Sequence, residues 1–185
     1  MFDLHQFVSD CRAALKEDAS PMSVREVVAR AVSDPAAMLK ALGEPARGEM
    51  QVLHRSNDLT VLNLVWAPSM ILPPHNHLMW AVIGIYTGRE DNIFWRRMPD
   101  PDGSMVEAAG ARSLGEKDAV PLGRDIIHSV TNPIARFTAA IHVYGGDFFG
   151  VQRSEWNPED LREEPSDGSK MAQRFEEANA RMLRI

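Results

Sequence analysis

The stretch Pro73-Pro74-His75-Asn76-His77 decides how this chain reads. Side chains on a β-strand alternate between its faces, so His75 and His77, two positions apart, point the same way when the segment is extended. Two imidazoles on one strand face form a metal-ligand geometry. The apolar and aromatic run from Leu78 to Tyr86, closed by Gly88, follows directly and places the pair inside a sheet protein, not on a loose loop. A third nitrogen must then come from another strand. The candidate is His128, in Asp125-Ile126-Ile127-His128-Ser129-Val130-Thr131-Asn132, with His142 in Ile141-His142-Val143-Tyr144 as a further inward-facing histidine.

Outward from this stretch the hydrophobic period is two. Gln51 to Arg55, Leu59 to Trp66, Trp80 to Tyr86, Asn92 to Met98, Ser113 to Gly115, Ala119 to Leu122, Ile126 to Thr131 and Phe137 to Tyr144 read as strands. They are separated by turn residues such as Ser56-Asn57-Asp58, Ala67-Pro68-Ser69, Pro99-Asp100-Pro101-Asp102-Gly103, Gly123-Arg124 and Asn132-Pro133. Short strands without intervening helices predict an antiparallel sandwich or barrel over residues 46–150. Before it, apolar residues at helical spacing predict a helix from Leu4 to Lys16. A second follows the turn and cap residues Ser20-Pro21-Met22-Ser23, over Val24 to Ala31, and a third runs from Asp34-Pro35 to Leu42 with Gly43 as its stop. Residues 1–45 thus form a helical cover with a packing role. Residues 151–185 read as a polar linker, including the charged run Glu159 to Glu164, and a terminal helix from Met171 to Leu183, all within one domain.

Composition narrows the partners. With 185 residues, 44% of them hydrophobic, the chain can bury a substantial core. A net charge of −6 argues against nucleic acid or an anionic membrane surface, which want a basic patch, and leaves a small molecule or a protein as the expected partner. No stretch approaches a membrane span and the N-terminus lacks the pattern of a signal peptide, so a cytoplasmic location is expected. Cys11 is the only cysteine, which excludes an intramolecular disulfide and a thiolate metal site; a metal must be held by nitrogen or oxygen.

Two motifs resemble those of the cupin superfamily. In the first, Ser69 stands for the leading glycine, His75-Asn76-His77 fit the paired histidines, Ala81 stands where the glutamate would be, and Gly88 closes in register. In the second, Gly115, Pro121-Leu122-Gly123, His128 and Asn132 follow the pattern with a longer gap between Gly123 and His128. The resemblance covers roughly residues 50–150 and implies a double-stranded β-helix, or jelly roll, with N-terminal helices and a C-terminal helix added. Three histidines without the glutamate are similar to the thiol dioxygenase branch, which includes cysteine dioxygenase and mercaptopropionate dioxygenase. Trp66, nine residues before His75, extends that likeness, as do His142 and Tyr144, which match an outer-sphere Ser-x-His-x-Tyr relay whose serine is here Ala140. Asp125, before His128, resembles the branch's approach to its third ligand only loosely. The branch's cysteine cross-linked to the tyrosine is absent.

What this resemblance implies is a non-haem iron(II) dioxygenase that converts a small thiol of the cysteine or mercaptopropionate class to a sulfinate with O2. His75, His77 and His128 would hold the metal, His142 and Tyr144 would act in catalysis, and Arg55 is the nearest equivalent of the branch's carboxylate-binding arginine. Neutral imidazoles leave the charge of a divalent ion uncompensated, which favours an anionic ligand, and a three-ligand face keeps positions open. Zinc or nickel can occupy the same histidines, so a hydrolytic or isomerising enzyme, a dicarbonyl-cleaving dioxygenase and a non-catalytic metal- or ligand-binding protein stay open as alternatives. Trp66, Trp80 and Trp95 read as core and pocket wall, His54 as facing away from Arg55, and His5 as irrelevant to the site. The chain is expected to be a monomer or a homo-oligomer.

Overall fold

The computed structural model describes residues 1–99 and 102–182. Asp100 and Pro101 of the expected turn, and Leu183, the expected end of the terminal helix, lie outside the described residues. Three helices come first, α1 (Leu4–Glu17), α2 (Pro21–Val32) and α3 (Pro35–Leu42). The Asp3 and Asp34 side chains accept from the backbone N–H of Gln6 and Ala37 and so cap α1 and α3, while Pro21 and Pro35 occupy first-turn positions where no N–H is needed. Gly43 ends α3 at a φ of 90°.

Eleven strands follow among the described residues: β1 (Glu49–Arg55), β2 (Thr60–Trp66), β3 (Ile71–Asn76), β4 (Ala81–Thr87), β5 (Arg89–Arg97), β6 (Val106–Gly115), β7 (Ala119–Leu122), β8 (Ile127–Thr131), β9 (Thr138–Tyr144), β10 (Ser154–Trp156) and β11 (Glu163–Pro165). Helix α4 (Gly168–Met182) is the last element. The strands form two antiparallel sheets, one ordered β1-β2-β9-β4-β7 and the other β11-β10-β3-β8-β5-β6. Setting aside β1, β10 and β11, the remaining eight alternate between the sheets in the order β2-β9-β4-β7 and β3-β8-β5-β6, the winding of an eight-stranded jelly roll. The mainly β jelly-roll fold with helices at both ends is therefore as expected from the sequence.

Inside its β1 edge the first sheet is covered on both faces, so every residue of β2 and β9 is buried. Val61, Val65, Val82, Tyr86, Ile141 and Val143 face outward and pack against Val24, Val28 and Val32 of α2 and Cys11 of α1. A Cβ on Gly84 would lie 2.4 Å from Val28 Cγ1, so the glycine sets how closely α2 lies on β4. The inward residues of the same strands, Leu62, Leu64, Trp66, Ile83, Ala140 and Tyr144, form the barrel interior with Leu72, Val130, Phe148 and Phe175.

Three elements differ from the sequence reading. Strand β6 extends back to Val106 because it is an edge strand whose middle is exposed, so small residues from Ala108 to Ala111 carry no alternating pattern. The segment read as a polar linker contains β10 and β11, and β10 pairs with β3 by setting Glu155 opposite His75. Helix α4 begins before Met171, and its Phe175 and Ala178 are buried against the barrel. The C-terminal region is thus one wall of the barrel's open end.

Candidate metal centre

The three expected ligands meet at one end of the barrel interior. Strand β3 brings His75 opposite His128 of β8, with a register shift where Pro73 and Pro74, which have no N–H to donate, interrupt the ladder. His77 lies just beyond β3, because the strand stops at Asn76 and the chain turns through Leu78 at a φ of 53°. The expected single strand carrying both histidines into the following run is therefore broken, yet the rings converge. Ring centroids are 5.1 Å apart for His75 and His77, 4.6 Å for His75 and His128, and 5.0 Å for His77 and His128. One ligating nitrogen from each lies within 4.8 Å of the others, so the three can hold a metal ion.

The nitrogens fit such an ion in distance and protonation. His77 Nε2 and His128 Nε2 are 3.3 Å apart. Two imidazole nitrogens bound at about 2.1 Å to one ion, at a right angle or slightly more, lie about 3.0–3.3 Å apart. Strand β5 fixes the tautomer of His128. Glu90, fully buried, accepts from the Asn92 amide nitrogen at 2.9 Å, which turns the Asn92 oxygen toward His128 Nδ1 at 2.6 Å. Nδ1 must then carry the proton, leaving the Nε2 lone pair toward the site. His75 Nδ1 likewise donates to the Pro73 carbonyl at 3.0 Å, which frees its Nε2. Burial holds all three imidazoles neutral, taking His75 down to about 4 and His77 and His128 well below the usual histidine range. Neighbouring histidines push His77 and His128 further in the same direction.

On β9, His142 and Tyr144 share the inward face, as their spacing predicts. The Tyr144 hydroxyl is 3.1 Å from His142 Nδ1, and the Tyr144 ring stands edge-on to His77 with centroids 5.0 Å apart. His142 Nε2 faces the Glu90 carboxylate at 3.7 Å, an ion-pair distance rather than a hydrogen bond, and is the one buried side-chain polar atom without a hydrogen-bond partner among the described residues. A carboxylate at that position calls for N–H on Nε2, so Nδ1 accepts from the tyrosine hydroxyl. Burial raises the Tyr144 phenol and keeps it protonated. Burial alone would also raise Glu90, but His142, Asn92 and the Trp66 indole N–H, 2.8 Å from its Oε2, outweigh that and hold the carboxyl below its usual value.

Glu90 and Asn92 were not singled out in the sequence, where Glu90 stands between the charged residues Arg89 and Asp91. The available signal was the period of two, which puts Glu90, Asn92 and Phe94 on one face of β5. Asp125 is exposed, and Asn92 holds His128 in its place. Asn132 serves the fold, its amide donating to the carbonyls of Trp66, Ala67 and Arg136. Ser69, at the motif's first glycine position, adopts a φ of 59°, the left-handed region that glycine enters without cost. Trp66 is pocket wall, stacked on Phe175 at 5.6 Å. His54 contacts Arg12 and Ser56 at the surface, and His5 is exposed.

Arg55, where a carboxylate clamp was expected, lies apart from the three histidines. Arg55 ends β1 on the outside of the barrel, where Asp147 engages it at 2.8 and 2.9 Å and the Phe149 ring covers it. It does not line the space at the histidines. That space is walled by Leu64, Trp66, Leu72, Val130, Tyr144 and Phe148, and its arginine is Arg153, in the loop before β10. Arg174, from α4, also reaches this wall, where it engages the buried Glu155 through both carboxylate oxygens at 3.1 and 3.2 Å.

No protein-family model matches this chain. Among solved structures, it is similar to an RmlC-like cupin family protein with a double-stranded β-helix fold from Methanocaldococcus jannaschii, with a TM-score of 0.46 and 10% identity over 58% of this chain and 86% of that one. A cupin superfamily protein from Desulfitobacterium hafniense gives a TM-score of 0.45 and 14% identity over 59% and 88% of the two chains. Oxalate decarboxylase from Bacillus subtilis gives 0.40 and 17% over 50% of this chain and 22% of that longer one. This chain's own strand order is that of an eight-stranded jelly roll, the double-stranded β-helix fold.

Proposed function

We propose that this chain is a non-haem iron(II) dioxygenase of the cysteine dioxygenase type, adding both atoms of O2 to a small thiol to give its sulfinate. The observation that carries the reading is a buried, neutral three-histidine face whose His75 and His128 tautomers are fixed with their ligating lone pairs inward. When bound there, iron(II) supplies coordination of the thiolate and activation of dioxygen at positions that three protein ligands leave open. The chain does the rest. Asn92, held by Glu90, orients His128, and apolar residues such as Leu72, Val130 and Phe148 exclude bulk water. Tyr144 keeps its proton and directs its hydroxyl at His142, whose opposite nitrogen is balanced by Glu90. That line of groups can hold a proton beside the reacting atoms and return it to an oxygen of the product without exchange with solvent.

The mostly apolar wall also suits a dicarbonyl substrate, cleaved between carbons on the same histidines, and this is the second reading. Oxygen uptake by iron(II)-loaded protein separates the two when cysteine, mercaptopropionate, cysteamine and a dicarbonyl are presented in parallel, with His128→Ala as control. Uptake with one thiol at one O2 per sulfinate supports the first reading, and uptake only with the dicarbonyl supports the second. No uptake with any of them despite bound iron removes both and leaves a binding role.

A further inference from the structure

At the histidines, space for about 20 Å³ of water-sized molecule centres remains, little more than one water requires. A ligand can bring only its reacting end there. Beyond it lies an outer chamber of about 450 Å³ on the same measure, whose walls include Phe149, Ala172 and Phe175. Met50, Phe148, Arg153, Ser166 and Met171 line both spaces, so the two are continuous through a shared neck. Size alone does not mark this chamber. Clefts of about 420 Å³ between α1 and β1 and about 480 Å³ around Trp80 and Gly146 share no lining residue with the histidine space.

The chemistry of the chamber follows from which of its polar groups are already engaged. Arg47 pairs with Glu176 at 2.7 Å, and the Glu49 carboxylate accepts from the Gln51 amide at 2.7 Å. Asn179 of α4 satisfies the backbone of Gly48, accepting from its N–H at 2.6 Å and donating to its carbonyl at 2.9 Å. The Arg153 guanidinium lies over the Phe148 ring, 3.7 Å from its centroid, so the two form one side of the neck. What faces a ligand is then mostly hydrocarbon. Phe175 stacks at 5.6 Å on Trp66, which is a wall of the inner space, so one aromatic surface runs from the histidines into the chamber. Met50 and Met171, unbranched and flexible, let the neck adapt to the shape of a chain passing through it.

We infer that the substrate carries a hydrocarbon body several carbons long, seated in the outer chamber against Phe149, Ala172 and Phe175 while its reacting end reaches the histidines. The inference rests on the thiol reading of the site and narrows its substrate class, from any small thiol to one with an alkyl or aryl body. An amino-acid thiol would leave the chamber to water. Each methylene moved from water onto such a wall favours binding about fourfold when fully buried and about twofold when half-buried, so the chamber outweighs small differences at the reacting end. Specificity then comes from α4 and from the segment after β9, neither of which carries a metal ligand.

The test is anaerobic binding of ethanethiol and of hexanethiol to iron(II)-loaded protein by calorimetry, followed by oxygen uptake with the same two thiols. Wild type, Ala172→Asp, Phe149→Ser and Val52→Ser are compared, with far-ultraviolet circular dichroism and metal content confirming that each variant is folded and loaded. Ala172 and Phe149 are exposed and line the outer chamber but not the inner space, while Val52 is an exposed apolar residue outside both. Hexanethiol should bind wild type at least tenfold more tightly than ethanethiol. Ala172→Asp and Phe149→Ser should each cut that ratio at least threefold with ethanethiol binding as before, and Val52→Ser should change neither. Equal binding of the two thiols to wild type, or a ratio unchanged in both chamber variants, would overturn the inference. If the length preference follows the chamber while neither thiol supports oxygen uptake, the oxidation reading falls and the chamber stands. If both thiols bind and are oxidised equally well, the chamber falls and the oxidation reading stands.

Discussion

The two faces of the first sheet are built from the same strands and do opposite things. Along β9, Ala139, Ile141 and Val143 point outward into a dry layer with α1 and α2, while Ala140, His142 and Tyr144 point inward to the histidine cluster. Along β2, Val61 and Val65 join the outer layer, and Leu62, Leu64 and Trp66 line the interior. Alternation at every residue lets one strand carry stability on one side and chemistry on the other. It follows that substitutions at neighbouring positions should fail in different ways, the outer ones in folding and the inner ones in metal and ligand binding.

The largest effect on folding is expected at Ile141, fully buried between β9 and α2. Ile141→Ala should cost about 2–5 kcal/mol in chemical denaturation, by lost burial and the cavity left behind, while the folded fraction binds metal with unchanged stoichiometry. Loss of metal at Ile141→Ala without loss of stability would break the separation of the two faces. Next comes Asn92→Ala, which releases His128 from its fixed tautomer and removes the amide that donates to Glu90, leaving that carboxylate only the Trp66 indole N–H. Metal affinity should fall about 10–100-fold in competition with a chelator. Asn92→Asp sharpens the point, because an acceptor facing His128 Nδ1 is retained and should preserve more affinity than alanine.

Smaller effects test the inner relay and the outer layer in turn. Tyr144→Phe removes only the hydroxyl donated to His142, so metal content should hold and turnover should slow; loss of metal instead would make Tyr144 a support for the ligands. Cys11, fully buried in the outer layer, has its thiol pushed up to about 12, chiefly by burial. The reactive thiolate is then present only above that pH in the folded protein, so alkylation at pH 8 should be slow and should accelerate on unfolding. Fast alkylation of the native protein would show that the helical cover opens readily. The smallest change is expected at Arg55→Gln, whose ion pair with Asp147 is solvent-exposed and remote from the histidines.

The same contrast explains what the sequence could disclose. Strands with one regular period, such as β2, β7 and β9, were legible, and so were helices with proline at their starts and aspartate caps. His75, His77, His128, His142 and Tyr144 stood out because residue type and spacing together imply a shared face. Strand β6 was largely hidden because an exposed edge leaves no burial pattern. Strands β10 and β11 are three residues each, too short for a period to appear. Glu90 was masked by charged neighbours that face solvent. That Arg153 lines the pocket while Arg55 lies outside it could not be read without the fold of the last thirty residues or so.

On the inner face, His75, His77 and His128 can hold a metal ion. The most direct test is the stoichiometry of iron(II) bound anaerobically by wild type and by His75→Ala, His77→Ala and His128→Ala. One ion per chain in wild type, lost or weakened at least a hundredfold in each folded variant, is the predicted result. Absence of binding by wild type, or equal binding by all four proteins, would contradict it.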